Sequence, residues 1–211
     1  MRVMVYDVTE RSRNRWLADS WYWGARLYLA RGKLTEDPED DFDTCKGVRS
    51  FEEMVRWLLS LNEPIEEIQY WGHGWFGTFA INRRHYAGNV LKEKKEGREN
   101  SLYPLLVDLK EQLTEESLWW FRTCCTFGTD AGQEFAEAWV SFFDCKVAGH
   151  TYAIGPWQAG LHTLSPGEKP SDVWSAREGW SGQVASPTPR MSMPWSPHCI
   201  FATRGDIPRG W

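Results

Sequence analysis

Two apolar runs of this chain end in residues suited to chemistry. "IQYWGHGWFG", Ile68 to Gly77, holds His73 between Gly72 and Gly74, and "SLWWFRTCC", Ser117 to Cys125, runs into Cys124 and Cys125. Glycine lets backbone and substrate approach closely, and an imidazole titrates near neutrality, so His73 is placed as a catalytic base would be. A cysteine at the end of a buried strand, followed within about six residues by a helix N-terminus, has two reasons to ionise: the helix dipole and a nearby imidazole. On this reading Cys124 is the nucleophile, and His73 takes its proton and returns it to the leaving group. The backbone N–H groups of Gly74 and Cys124 would hold an oxyanion. Alternation along a strand lets only one of two successive side chains face a cleft, which leaves Cys125 a structural role.

Other candidates surround this pair. Arg122 lies two residues before Cys124 and shares its strand face, where it could lower the thiol pKa or bind a substrate carboxylate. The plainer expectation is a salt bridge at the sheet edge to Asp7 or Asp130. His150, in "AGHTYAIG", either lines the cleft or is a satisfied, hydrogen-bonded histidine, and the second is favoured. Asp7 and Asp130 on one side, Arg84 and Arg122 on the other, allow a pocket for either a basic or an acidic cut site. Cys124, Cys125, Cys145, His73 and His150 are ligand types for zinc, but adjacent cysteines do not easily share one tetrahedral ion and no CxxC or HxxxH spacing occurs. Neither a metal nor a cofactor is expected.

The elements that must position these residues alternate in type. "RVMVYDV" predicts a strand ending near Asp7, and Trp16, Leu17, Trp21, Ala25, Tyr28 and Leu29 a helix stopped by Gly32. A short strand is expected near Thr44 to Val48. Ser50 with Glu53 fits a capping box ahead of the apolar face Phe51, Met54, Val55, Leu58 and Leu59. "GTFAIN" is a second short strand, close enough to form a hairpin with its neighbour. Leu102, Leu105, Leu106, Leu109 and Leu113 mark a helix with Pro104 in its first turn. After the cysteines, Asp130 and Gln133 suggest a cap pair for a helix facing inward through Phe135, Trp139, Val140 and Phe143. "CKVAGHTYAIG" is a further strand and "HCIFAT", within residues 198–203, the expected last one. Ser165 to Pro197 is rich in Ser, Pro and Gly, so an irregular excursion is expected over residues 155–197. Strands alternating with helices predict a single α/β domain over residues 1–211, a three-layer sandwich with a mostly parallel central sheet. Ligands then sit beyond the carboxyl ends of the strands, where both "GHG" and "TCCT" fall.

A length of 211 residues suits one hydrophobic core. With 24 basic and 29 acidic residues the net charge is −5, which disfavours nucleic acid as a partner. The first apolar run is too short for a signal peptide, and no run of about 18 apolar residues exists to cross a membrane. Five cysteines without CxxC pairs predict reduced thiols and a cytoplasmic setting. The 14 tryptophans have no fixed period and read as core and cleft lining.

The order hydrophobic run, His-Gly, a spacer of about 50 residues, hydrophobic run, Cys resembles the caspase-like cysteine peptidases, the fold of caspases, metacaspases, gingipains, separase and the bacterial CHAT domains. His73-Gly74 and Cys124 stand at those positions. "FRTCCTFGTDAGQEFAEAW" is similar to the cysteine segment of CHAT and related bacterial domains, carried here by Cys124, Thr126, Gly132 and Phe135. The resemblance covers residues 2–154 and implies a thiol protease acting on a peptide or protein substrate, with Cys124 as nucleophile and His73 as base. The alternative is a catalytically inactive module of the same fold that serves as a binding or scaffold unit, its aromatic residues and Pro/Ser-rich segment forming the recognition surface.

Overall fold

Alternation along "LWWFR" sends Trp119 and Phe121 to one side of a strand and Trp120 and Arg122 to the other, and the whole sheet follows this division. The computed structural model describes residues 1–9, 42–95 and 98–211. Through the site its elements run β1 (Arg2–Asp7), β2 (Thr44–Val48), α1 (Phe51–Ser60), β3 (Glu67–Trp71), β4 (His73–Trp75), β5 (Thr78–Ile81), β6 (Arg84–Tyr86), α2 (Tyr103–Lys110), β7 (Leu118–Arg122), α3 (Thr129–Phe143) and β8 (Lys146–His150). After it come β9 (Trp157–Gln158), β10 (Leu161–Leu164), α4 (Pro170–Val173), β11 (Trp180–Gln183), β12 (Ser186–Pro189) and β13 (Ile200–Phe201). The helix expected over Trp16 to Leu29 lies outside the described residues.

The protein is α/β, built on a six-stranded sheet in the order β10-β8-β7-β3-β1-β2. All its pairings are parallel except that of β8 with β10. One face carries Val3, Val5, Ile68, Tyr70, Trp119, Phe121 and Val147 and is covered by α1, α2 and α3 through Phe51, Leu58, Leu106, Phe135 and Trp139. The rings interlock: Trp139 meets Trp119, Phe121 and Phe135 at centroid distances of 5.3, 5.1 and 5.0 Å. The opposite face carries Trp120 and Ala148, packed by Ile200, Ile207 and Trp211 of the C-terminal segment.

Local signals account for the helix ends only in part. Ser50 caps α1, accepting from the Glu53 N–H at 3.1 Å, while the Glu53 carboxylate accepts from the Arg49 N–H at 2.8 Å. The Asp130–Gln133 cap does not form: α3 starts at Thr129 with Gly128 at its N-cap and no side-chain cap. Gln133 instead donates its side-chain amide to the Trp174 carbonyl at 2.8 Å, a tertiary contact. The last strand expected within residues 198–203 forms at Ile200–Phe201, where it joins β9 in a separate two-stranded ribbon, and the edge of the main sheet is the antiparallel β10. One expectation for the C-terminal part is corrected. Residues 165–197 are not wholly irregular, since they hold α4 and the β11–β12 hairpin.

Candidate active site

The parallel register between β3 and β7 brings Trp71 opposite Arg122, at the carboxyl end of both strands. Two residues further along each chain stand His73 and Cys124. Here the His73 chain turns away to begin a second, three-stranded sheet, in which β4 pairs with β5 and His73 lies opposite Ala80. The hairpin foreseen around "GTFAIN" is therefore this one, with Phe76 and Gly77 as its turn and Gly77 at φ 70°.

This hairpin is stapled to the turn that carries the cysteines. The Gly77 N–H donates to the Thr126 carbonyl at 3.0 Å, and the Thr126 hydroxyl donates to the Thr78 carbonyl at 3.0 Å. With that proton committed, Thr123 donates to Thr126 across 2.6 Å. Gly74 shows how close the chains are. A Cβ there would stand 2.8 Å from both the Cys124 carbonyl oxygen and the Thr123 Cβ, and would run into the Thr126 hydroxyl. Glycine is thus required for close approach of two backbones. On its other side the cysteine turn hangs from the chain after β8, with the Cys125 N–H on the Tyr152 carbonyl at 2.8 Å and the Phe127 N–H on that of His150 at 3.0 Å.

His73 and Cys124 are both half-buried at this shared rim, whereas Cys125 is fully buried. Cys125 takes the left-handed conformation, φ 43°, and packs with Phe76 and Trp180 in a cluster against which Cys124 lies. A non-glycine residue at positive φ is held there by its surroundings. The Cys124 thiol donates to the Ile154 carbonyl at 3.6 Å. Burial pushes its pKa up, offset in part by the backbone contact with Ile154, so the resting group is a thiol and not the ionised sulfur the helix dipole was expected to favour. Burial and the neighbouring Cys124 push Cys125 up further.

Arg122 is not at a sheet edge, because β7 is an interior strand. Its guanidinium is fully buried, lying 4.2 and 4.3 Å from the ring centroids of Trp71 and Trp120. It donates to Gln158 and Gln69 at 3.0 and 3.1 Å and to the carbonyls of Ala202 and Arg204 at 3.2 and 2.9 Å. These contacts tie the C-terminal segment to the sheet and give Arg122 a structural task. Of its expected partners, Asp7 accepts from the N–H and hydroxyl of Thr9 and from the Asn82 N–H, and Asp130 is exposed on the first turn of α3. His150 is the satisfied histidine: Nε2 accepts from the Trp120 indole at 3.4 Å and Nδ1 faces the Ala159 carbonyl at 3.2 Å. Burial, with Arg122 nearby, lowers its pKa to about 3.

Ile154 and Trp180 are the participants that no sequence signal pointed to, since each reaches the rim only through the path of the chain after β8. Gly72, Gly74 and Gly77 also have the G-x-G-x-x-G spacing of dinucleotide-binding turns. Here they lead into a hairpin, so the helix N-terminus on which a pyrophosphate rests is missing at that turn. Among the described residues no group of three or more His, Cys, Asp or Glu side chains is arranged to hold a metal ion, and no helix is long and apolar enough to cross a membrane. Comparison with protein-family models, with curated proteins and with solved structures finds no match.

Proposed function

We propose that the protein is a caspase-like cysteine endopeptidase, or a related Cys–His hydrolase, with Cys124 as nucleophile and His73 as base. The observation that carries this reading is the wedge of Gly74 against the Cys124 carbonyl, which brings the two candidate residues to one rim at the carboxyl ends of two parallel strands. His73 takes the thiol proton as the sulfur bonds to the substrate carbonyl carbon. The C–N bond then breaks, and the imidazolium protonates the leaving amine. A water deprotonated by His73 attacks the thioester, releases the acid and restores the thiol. Backbone N–H groups at Gly74 and Cys124 serve the oxyanion. A thiol whose pKa is raised by burial loses its proton only as the base is engaged, so catalysis in this protein depends on proton transfer within the substrate complex.

The burial of Cys124 and the hydrogen bond of its thiol to the Ile154 carbonyl favour a second reading, a non-catalytic binding module that retains the arrangement. A thiol-directed acylating probe separates the two. The peptidase reading expects the native protein to be labelled at Cys124, and Cys124→Ala and His73→Ala to fold normally without being labelled. Equal labelling of Cys124→Ala removes the enzyme claim.

A further inference from the structure

The hairpin of β11 and β12 is attached to the body at its base. Ser181 through Ser186 are exposed, with Val184 63% exposed at the tip, and Trp180 is the buried residue of the two strands. A two-stranded ribbon is marginal by itself in water, so its position depends on what holds the base.

Several fastenings do so. Trp180 packs with Phe76 and Cys125 in the cluster that Cys124 lies against, and its indole donates to the Ala176 carbonyl at 2.7 Å. Gly179, at φ 78°, lies flat on Thr151, where a Cβ would strike the Thr151 backbone. The Glu178 carboxylate accepts from the Thr151 hydroxyl at 3.0 Å and stands 3.0 and 3.1 Å from Nε2 of His162. His162 belongs to edge strand β10 and is held by the stacked Trp174 ring at 5.3 Å, so it is a fixed post on the body. Beyond the hairpin the chain returns along Ala153, which donates to the Arg190 carbonyl at 2.9 Å and accepts from the Ser192 N–H at 2.8 Å. The next residue is Ile154, whose carbonyl holds the Cys124 thiol.

We propose that residues 178–192 form a hinged cover over Cys124, closed by Trp180 and fastened by Glu178 to His162 and Thr151, so that this segment sets access to the sulfur. Its regulatory meaning rests on reading Cys124 as the nucleophile; the access itself can be measured without turnover. Opening breaks the packing of one large side chain, the Glu178 contacts and a few backbone hydrogen bonds. The aromatic core under α1, α2 and α3 is left whole, which is the condition for a local transition and not a global one.

The test is alkylation of the full chain by the uncharged reagent iodoacetamide, followed at each cysteine by peptide mass spectrometry. Exposed Cys45 reports the reagent, and Cys145, buried in the core, reports global opening. Trp180→Ala and Glu178→Ala are each expected to speed modification of Cys124 by at least about tenfold while Cys145 stays unmodified. A rise at Cys124, with or without its neighbour Cys125 and without Cys145, in either variant supports the cover. No rise in both, or a rise shared with Cys145, overturns it. If the wild-type protein turns over no peptide while these rate changes hold, the cover stands and the peptidase reading falls.

Discussion

His150 offers a stability prediction whose size follows from the structure. A Trp indole can only donate, so Nε2 of His150 must be its acceptor and the ring proton sits on Nδ1, facing the Ala159 carbonyl. A second proton would point Nε2–H at another N–H and add a charge in a fully buried site near the Arg122 guanidinium. Hence the pKa of about 3 against an ordinary 6.5. In the unfolded chain the ring takes up its proton as the pH falls below 6.5, and in the folded protein it does not. Folding stability is therefore intact above that value and is lost progressively as the pH approaches 3, by up to about 1.4 kcal/mol per pH unit. Between pH 7 and pH 5 the loss from this one group is about 2 kcal/mol. Urea unfolding of wild type and His150→Gln over that range checks it. The variant is less stable at pH 7 because two hydrogen bonds are disturbed, but the gap between the proteins narrows by about 2 kcal/mol on acidification. Parallel curves, or a His150 imidazole NMR titration with a midpoint above about 5, refute the reasoning.

Two further substitutions probe the parts that hold the site together. Gly74→Ala forces a methyl between the hairpin and the cysteine turn and costs about 1–3 kcal/mol by overpacking. It also parts His73 from Cys124, so probe labelling drops with stability in thermal melts; wild-type melting with full labelling contradicts the wedge. Arg122→Met leaves the Ala202 and Arg204 carbonyls and the Gln158 side-chain oxygen without this donor, while Gln69 keeps that of the Trp71 indole, and costs about 1–3 kcal/mol. The C-terminal segment is freed first, so trypsin cuts faster after Arg204 than in the wild type; an unchanged cleavage rate opposes the clamp.

What was legible in the sequence were features with local causes. The Ser50 cap works because its acceptor and donor are three residues apart, and the alternation in "LWWFR" sorts Trp119 from Trp120 whatever the partner strand. The order of His-Gly and Cys at two strand ends was readable for the same reason, since where a strand runs out is set by its own residues. The fate of Arg122 was not. Its carbonyl partners lie 80 and 82 residues away, and nothing near "FRTCC" announces that a guanidinium will be buried between two indoles. Asp130 and Gln133 failed as a cap because the helix begins at Thr129, one residue before Asp130, and the Gln133 amide is engaged by the carbonyl of Trp174, remote in sequence.

By itself the sequence determined the principal strands and helices of the main sheet from β1 to β8, which of their faces would be apolar, and which side chains had acid–base or nucleophilic character, because propensity and periodicity act within a few residues. Only the tertiary structure decided that Gly74 would touch the Cys124 backbone, that Ile154 would take the thiol proton's hydrogen bond, and that Trp180 would stand beside it. Those outcomes turn on strand order and on the route of the chain after β8, and these are chosen by the packing of the whole sheet, where contacts between distant residues outweigh local preference.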